Sequence, residues 1–233
     1  MRIKSQKEDI NKRVINILSI KLLNAVNSMI NDYGFLYNKE ELLLLKKASA
    51  NIEHSNNIET INKYEEELKN LIFRTWKYEE EQGNYFIRWL KKDKINYSNP
   101  VISTTFGNVD SFCNSVIGVK YKVNIKAFLG ACEKDGATVI ESSDKQSIYT
   151  IKTLEDGRVV NSYNLSTPIY TPKQAMENYN SNYKSKHNEI ILDAKYAIPV
   201  EIICIDDDFI DLANEISKKY SIPFPKVQSN FKK

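Results

Sequence analysis

The sequence predicts an α+β fold, with a helical N-terminal region over residues 1–82 followed by a strand-rich region over residues 83–233. Three observations carry this. Up to about Gln82, apolar residues recur at the helical spacing of three and four. From about Asn84, the pattern turns to short runs of β-branched and aromatic residues. The two patterns are segregated along the chain, which favours α+β over an alternating, parallel α/β sheet.

Each element has a local reason. Ile10, Val14, Ile17, Leu18, Leu22, Ala25 and Met29 form one helical stripe, ended by Asn31-Asp32-Tyr33-Gly34 with the glycine read as a C-cap. Asn38 followed by Glu41 and the run Leu42 to Leu45 predicts a second helix opened by a capping box. His54-Ser55-Asn56-Asn57 is a polar break. Ile58, Ile61, Tyr64, Leu68, Leu71, Ile72 and Trp76 then form a third stripe. The acidic runs Tyr64-Glu65-Glu66-Glu67 and Tyr78-Glu79-Glu80-Glu81 read as solvated helix faces.

Val116 to Ile125 alternates as a strand does, and Ala137 to Ile140 after Gly136 reads as a short one. Ile148 to Leu154 and Arg158 to Tyr163 flank Glu155-Asp156-Gly157, a hairpin signal. Ile190 to Leu192 and Ala197 to Ile205 are expected to pair through Asp193-Ala194-Lys195. Phe209 to Tyr220 reads as a closing helix stopped by Pro223 and Pro225. The polar tail from Lys226 to Lys233 is expected to be loosely ordered.

A chain of 233 residues is long enough for a sizeable core without staples, and its 42% apolar and 27% charged residues are ordinary for a globular protein. The net charge of +3 permits a nucleic-acid partner without requiring one. Cys113, Cys132 and Cys204 are scattered and odd in number, against a disulfide framework and for a reducing compartment. With His54 and His187 the only histidines and no C-x-x-C, no zinc site is expected. Met1 to Glu8 lacks the apolar core of a signal peptide, and no apolar run reaches the length of a membrane span. The expectation is a cytoplasmic protein, or one delivered into a target cell without a cleaved signal. No G-x-x-x-x-G-K-[ST], G-x-G-x-x-G or G-x-S-x-G is present, so P-loop, Rossmann and α/β-hydrolase chemistry lack their local support.

Three segments stand out for their order: Tyr85-Phe86-Ile87-Arg88-Trp89-Leu90, Ile102-Ser103-Thr104-Thr105-Phe106 and His187-Asn188-Glu189-Ile190-Ile191-Leu192. Arginine, then Ser-Thr-Thr, then glutamate opening an apolar run resembles the R-S-E pattern of mono-ADP-ribosyltransferases, in particular toxin-like and phage-encoded members. The resemblance spans Tyr85 to Ile205. It implies two packed antiparallel-type sheets with NAD in the cleft between them, and a helical extension bracing one side. It also implies NAD as co-substrate, no metal, and a macromolecular acceptor, protein ahead of RNA or DNA. An antitoxin or a delivery protein would be a natural partner.

The resemblance also assigns roles. Glu189 would stabilise positive charge developing on the ribose as nicotinamide leaves, and would hold a ribose hydroxyl. Arg88 would hold the NAD phosphates, where a planar guanidinium suits two oxygens. Ser103 would orient Glu189, and Thr104 and Thr105 would shape the nicotinamide pocket. Many relatives carry glutamate or glutamine two residues before the catalytic glutamate, to select and activate the acceptor. Here that residue is His187, which titrates near neutral pH and suits a base. Tyr179 and Tyr183, in the polar segment Thr171 to Lys186, match the acceptor-reading loop by position. With Lys184 and Lys186 they also suit stacking and steering of a nucleic acid.

Plainer readings stand beside these. Arg88 is also a strand arginine with its head in solvent. Ser103 to Thr105 is also an ordinary strand or turn, Glu189 a solvated strand start, and His187 a surface histidine. Two rival functions follow. One is a non-catalytic interaction module on a degenerate transferase fold. The other is a metal-dependent nuclease using Glu201 and Asp206-Asp207-Asp208, although acids before a helix also serve as N-cap and dipole partners.

Overall fold

The computed structural model describes residues 2–55, 57–91, 101–107, 115–132, 149–153, 159–163, 165–166, 170–175, 189–204 and 207–223. Three helices open the chain: α1 (Arg2–Asn31), α2 (Lys39–Glu53) and α3 (Ile58–Glu81). Their ends are set by local chemistry. Asn38 Oδ1 accepts from the Glu41 amide at 2.9 Å, and Glu41 Oε2 accepts from the Asn38 amide at 3.0 Å, which is the expected capping box. Asn57 caps α3 by accepting from the Glu59 amide at 2.9 Å. Gly34 is not a C-cap. It begins a 3-10 turn, Gly34–Leu36, without the positive φ that such a cap needs. Gly83 has that φ, +94°, after α3. There the Asn84 amide donates to Glu79 O at 2.9 Å and the Gly83 amide to Glu80 O at 3.1 Å, a Schellman motif.

The three helices enclose one core, with Leu22, Met29, Leu45, Ile52, Ile61 and Leu68 fully buried. The acidic runs of α3 are not simply solvated. Tyr64 is buried in this core. Glu79 accepts from the Tyr33 hydroxyl at 3.1 Å, and Glu80 is buried and paired with Lys77 at 2.6 Å.

The strands are β1 (Phe86–Leu90), β2 (Val101–Phe106), β3 (Ile117–Val123), β4 (Phe128–Cys132), β5 (Tyr149–Thr153), β6 (Val159–Tyr163), β7 (Leu165–Ser166), β8 (Glu189–Asp193) and β9 (Ala197–Cys204). Seven of them form one antiparallel sheet in the order β7-β4-β8-β2-β1-β3-β9. β5 and β6 form the expected hairpin, with Thr153 opposite Val159. The turn 155–157 and the expected strand 137–140 lie outside the described residues.

One expectation is overturned. β8 and β9 do not pair, because β2, β1 and β3 stand between them. The reason lies at the β1–β2 seam, which pairs only Phe86 with Phe106 and Ile87 with Thr105, while β1–β3 and β2–β8 each pair five positions. β1 and β2 are therefore paired at one end only. Short links at 124–127 and 194–196 carry the chain from one side of the seam to the other, tied by the Asn124 amide donating to Tyr196 O at 3.3 Å.

One face of the sheet carries its core. Phe86, Leu90, Ile102, Phe106, Ile117, Val119, Ile190, Leu192 and Ile202 are buried there with Trp76 of α3 and with Ala213 and Ile216 of α4 (Ile210–Tyr220). The Trp76 ring lies 4.5 Å from Phe106 and 5.3 Å from Phe86, and its Nε1 donates to Tyr170 O at 3.2 Å. Tyr170 in turn belongs to the helical core. The change from helix to strand falls at the predicted boundary, but packing runs across it. Before α4, Asp207–Phe209 form a 3-10 turn, and the N-cap position is Phe209, with no side-chain cap. The expected acidic N-cap is therefore displaced by a turn. Asp211 in the first turn of α4 and Lys218 and Lys219 in the last still complement the helix dipole.

Candidate active site

The strands bearing the three signature segments are adjacent, β8-β2-β1. Thr105 stands opposite Glu189 and Ser103 opposite Ile191 across β2–β8, while Ile87 stands opposite Thr105 across β1–β2. Directly opposed residues of an antiparallel pair share a face, and alternate residues of a strand share a face. Positions 87, 103, 105 and 189 therefore lie on the face opposite the core.

That row continues to the sheet edge. Lys120 of β3 is opposite Ile87, and Glu201 of β9 is opposite Lys120. Lys120 Nζ bonds Glu201 Oε2 at 2.7 Å and lies 4.9 Å from the centre of the Tyr85 ring. Trp89 is on the same face. Its Nε1 donates to Thr105 Oγ1 at 2.8 Å, and its ring covers Gly118, where an added Cβ would come within 2.7 Å of it. Ser103 is solvent-exposed, whereas Thr105 and Ile87 are buried.

Two of the expected residues are not on this face. Thr104 points into the core side and donates its hydroxyl to Ile190 O at 2.8 Å, fastening β2 to β8 rather than shaping a pocket. Arg88 stands opposite Val119, a core residue, so it too lies on the core side of the sheet. Its guanidinium hydrogen-bonds the Tyr121 phenol. Burial pushes that phenol up from its ordinary value, and the charge and hydrogen bond of Arg88 pull it back. The register thus sets positions 103, 105 and 189 on one face and positions 88 and 104 on the other.

His187, Tyr179 and Tyr183 lie outside the described residues. The start of their segment is fixed to the helical half. Lys173 Nζ bonds Asp32 Oδ1 at 2.8 Å, Gln174 Nε2 donates to Lys21 O at 3.2 Å, and Thr171 Oγ1 accepts from the Gln174 amide at 3.3 Å.

Sequence reasoning passed over Trp89 and Lys120. Both carry a signal: Trp89 is an aromatic two residues from Ile87 in the same strand, and Lys120, like Lys122, is a cation alternating with the apolar residues of its strand. Among the described residues, no group of three or more His, Cys, Asp or Glu is placed to hold a metal ion. No described helix is long and apolar enough to cross a membrane. Comparison with known proteins brings no match: no family model, no curated protein and no solved structure is significantly similar to this chain.

Proposed function

We propose that the chain is an NAD-dependent mono-ADP-ribosyltransferase whose reacting face carries Ser103, Thr105 and Glu189. The observation that supports this most is the pairing of Thr105 with Glu189, which sets the hydroxyl-rich strand and the glutamate strand side by side although 84 positions separate them in sequence. A glycosidic bond such as that between nicotinamide and ribose breaks through a cationic transition state, and a carboxylate beside it lowers the barrier. Glu189 supplies that carboxylate in this reading, and the exposed Ser103 hydroxyl orients it.

The face fits a dinucleotide in part. It bears a hydroxyl, a glutamate position, an indole and a lysine that is ion-paired with Glu201, but not the expected arginine. Thr105, already bonded to Trp89, holds the seam. In this reading the phosphate-binding role passes from Arg88 to Lys120, which would exchange its Glu201 partner for a phosphate and stands three strands from Glu189 along the same row, or about 14 Å at ordinary strand spacing. The acceptor is a macromolecule, protein ahead of nucleic acid, as for a toxin or effector.

The position of Arg88 favours a second reading, a non-catalytic interaction module built on the same kind of sheet. Incubation with adenylate-labelled NAD and a cell lysate, followed by separate protease and nuclease digestion, separates the two. Label removed by protease supports transfer to protein, and label removed by nuclease supports transfer to RNA or DNA. No transferred label, together with no release of nicotinamide, supports the module.

A further inference from the structure

Asn62, Glu66, Lys69, Phe73 and Trp76 recur every three or four residues along α3 and so share one face of it. That face looks onto a cavity of about 360 Å³. Ile125 of the 3-10 turn Ile125–Ala127, Phe128 of β4 and Tyr170 complete the wall. Phe128 stands opposite Leu192, a core residue, so the cavity lies on the core side of the sheet and not on the face of Ser103. The wall is mainly aromatic. Phe128 lies 6.4 Å from Phe73 at 79° and 5.4 Å from Trp76 at 44°, so the wall offers ring faces and ring edges together. Trp76 is buried at its base, whereas Phe73 and Phe128 are only half-buried. Lys77 comes within 5.2 Å of the Phe73 ring centre but is not part of the wall, and it is paired with Glu80.

The charged groups of the wall are engaged with their neighbours. Glu66 and Lys69 form an ion pair, and the Tyr170 phenol hydrogen-bonds the Glu65 carboxylate. Two carboxylates against one ammonium repel an anion, and both carboxylates are already bonded, so the wall favours an uncharged ligand. The Asn62 carboxamide stands exposed at the rim and carries a donor and an acceptor side by side. Such a pair matches the edge of a nitrogen heterocycle. Half-buried rings beside a cavity leave apolar surface in water, which a flat ligand removes on binding. The volume is at the small end of ligand sites, which run from about 300 to 1,000 Å³, and suits one ring system. We propose that this cavity binds a small, uncharged, planar heteroaromatic molecule of nucleobase size. Its face lies against Phe73 and Phe128, and its hydrogen-bonding edge meets Asn62. This does not rest on the transferase reading.

The test is calorimetric titration of the full chain with adenine, with AMP and with cyclohexanol. Adenine is expected to bind saturably. AMP, which adds a charged phosphate, and cyclohexanol, which is not planar, are each expected to bind at least about 10-fold more weakly. No saturable binding of adenine up to about 5 mM, or AMP or cyclohexanol binding as tightly as adenine, overturns the proposal. These comparisons use the unaltered protein, so they stand even where a variant fails to fold. Asn62→Ala is expected to weaken adenine several-fold, and an unchanged affinity overturns the assigned edge. Location is read separately. Trp89→Phe leaves Trp76 as the single tryptophan, so adenine in this cavity is expected to quench the remaining emission. Binding of adenine with that emission unchanged places it elsewhere, as on the face of Ser103, and overturns the proposal.

Discussion

Trp89 donates its indole N–H to Thr105 Oγ1 at 2.8 Å, diagonally across the two-position seam between β1 and β2. So short a ladder leaves few backbone hydrogen bonds to hold β1 to β2, and this side-chain bond adds to them. Trp89→Phe keeps a ring and removes the donor, and is expected to cost about 0.5–1.5 kcal/mol. Thr105→Val leaves the indole N–H without its partner. A double-mutant cycle in urea should give a coupling of about 1 kcal/mol between the two. Additive losses would mean that the bond does not hold the seam.

Gly118→Ala tests the packing of the same tryptophan. The new methyl would meet Trp89 at 2.7 Å and Ile87 Cγ2 at 3.2 Å, so the indole must move. A loss of about 1–3 kcal/mol is expected from overpacking. Trp89→Phe combined with Gly118→Ala should lose less than the sum, because the smaller ring leaves room.

Arg88 should behave as a residue of the core side. Arg88→Lys shortens the reach to Tyr121 and replaces a planar fork with a point charge. The expected result is a lower urea midpoint with the KM for NAD little changed. Loss of NAD binding at an unchanged midpoint would return the phosphate role to Arg88 and contradict the face on which the register sets it.

Acid should loosen the helical half. The Arg74 guanidinium, bonding Glu41 through both oxygens at 2.8 Å, holds that carboxyl below its usual value, and Lys173 does the same for Asp32. A lowered folded pKa gives stability that is fully present above the unfolded values, about 4.3 for Glu and 3.9 for Asp, and is lost as pH falls through the folded ones. Both pairs are partly solvated, so each contributes little. Glu41→Gln also weakens the cap of α2 and should cost up to about 1 kcal/mol at neutral pH. It should flatten the acid limb of a stability profile below about pH 4.3. An unchanged acid limb would deny the Glu41–Arg74 pair that role.

Much of the helical half is legible in the sequence, because capping and periodicity act over a few residues. Asn38 with Glu41 is one instance, and the stripe from Ile61 to Trp76 is another. Gly34 misleads because a glycine after a helix is read as a cap, whereas Gly83 carries the positive φ. The strands are legible and their order is not. Asp193-Ala194-Lys195 looks like a hairpin turn, yet β8 and β9 find partners elsewhere because the shared core, not the linker, selects neighbours. The face of Arg88 is hidden for another reason. In Phe86-Ile87-Arg88-Trp89-Leu90 both faces of the strand are largely apolar, so no alternation marks which side an intervening arginine takes.

The central claim is that Glu189 works on NAD from the face it shares with Ser103 and Thr105. Release of nicotinamide from NAD by purified wild type and Glu189→Gln, at matched melting temperature, tests it most directly. The account predicts measurable release by wild type and a loss of roughly 100-fold or more in the variant, the scale of removing one electrostatic stabiliser. Wild-type turnover in Glu189→Gln, or no turnover in the folded wild type, would contradict it.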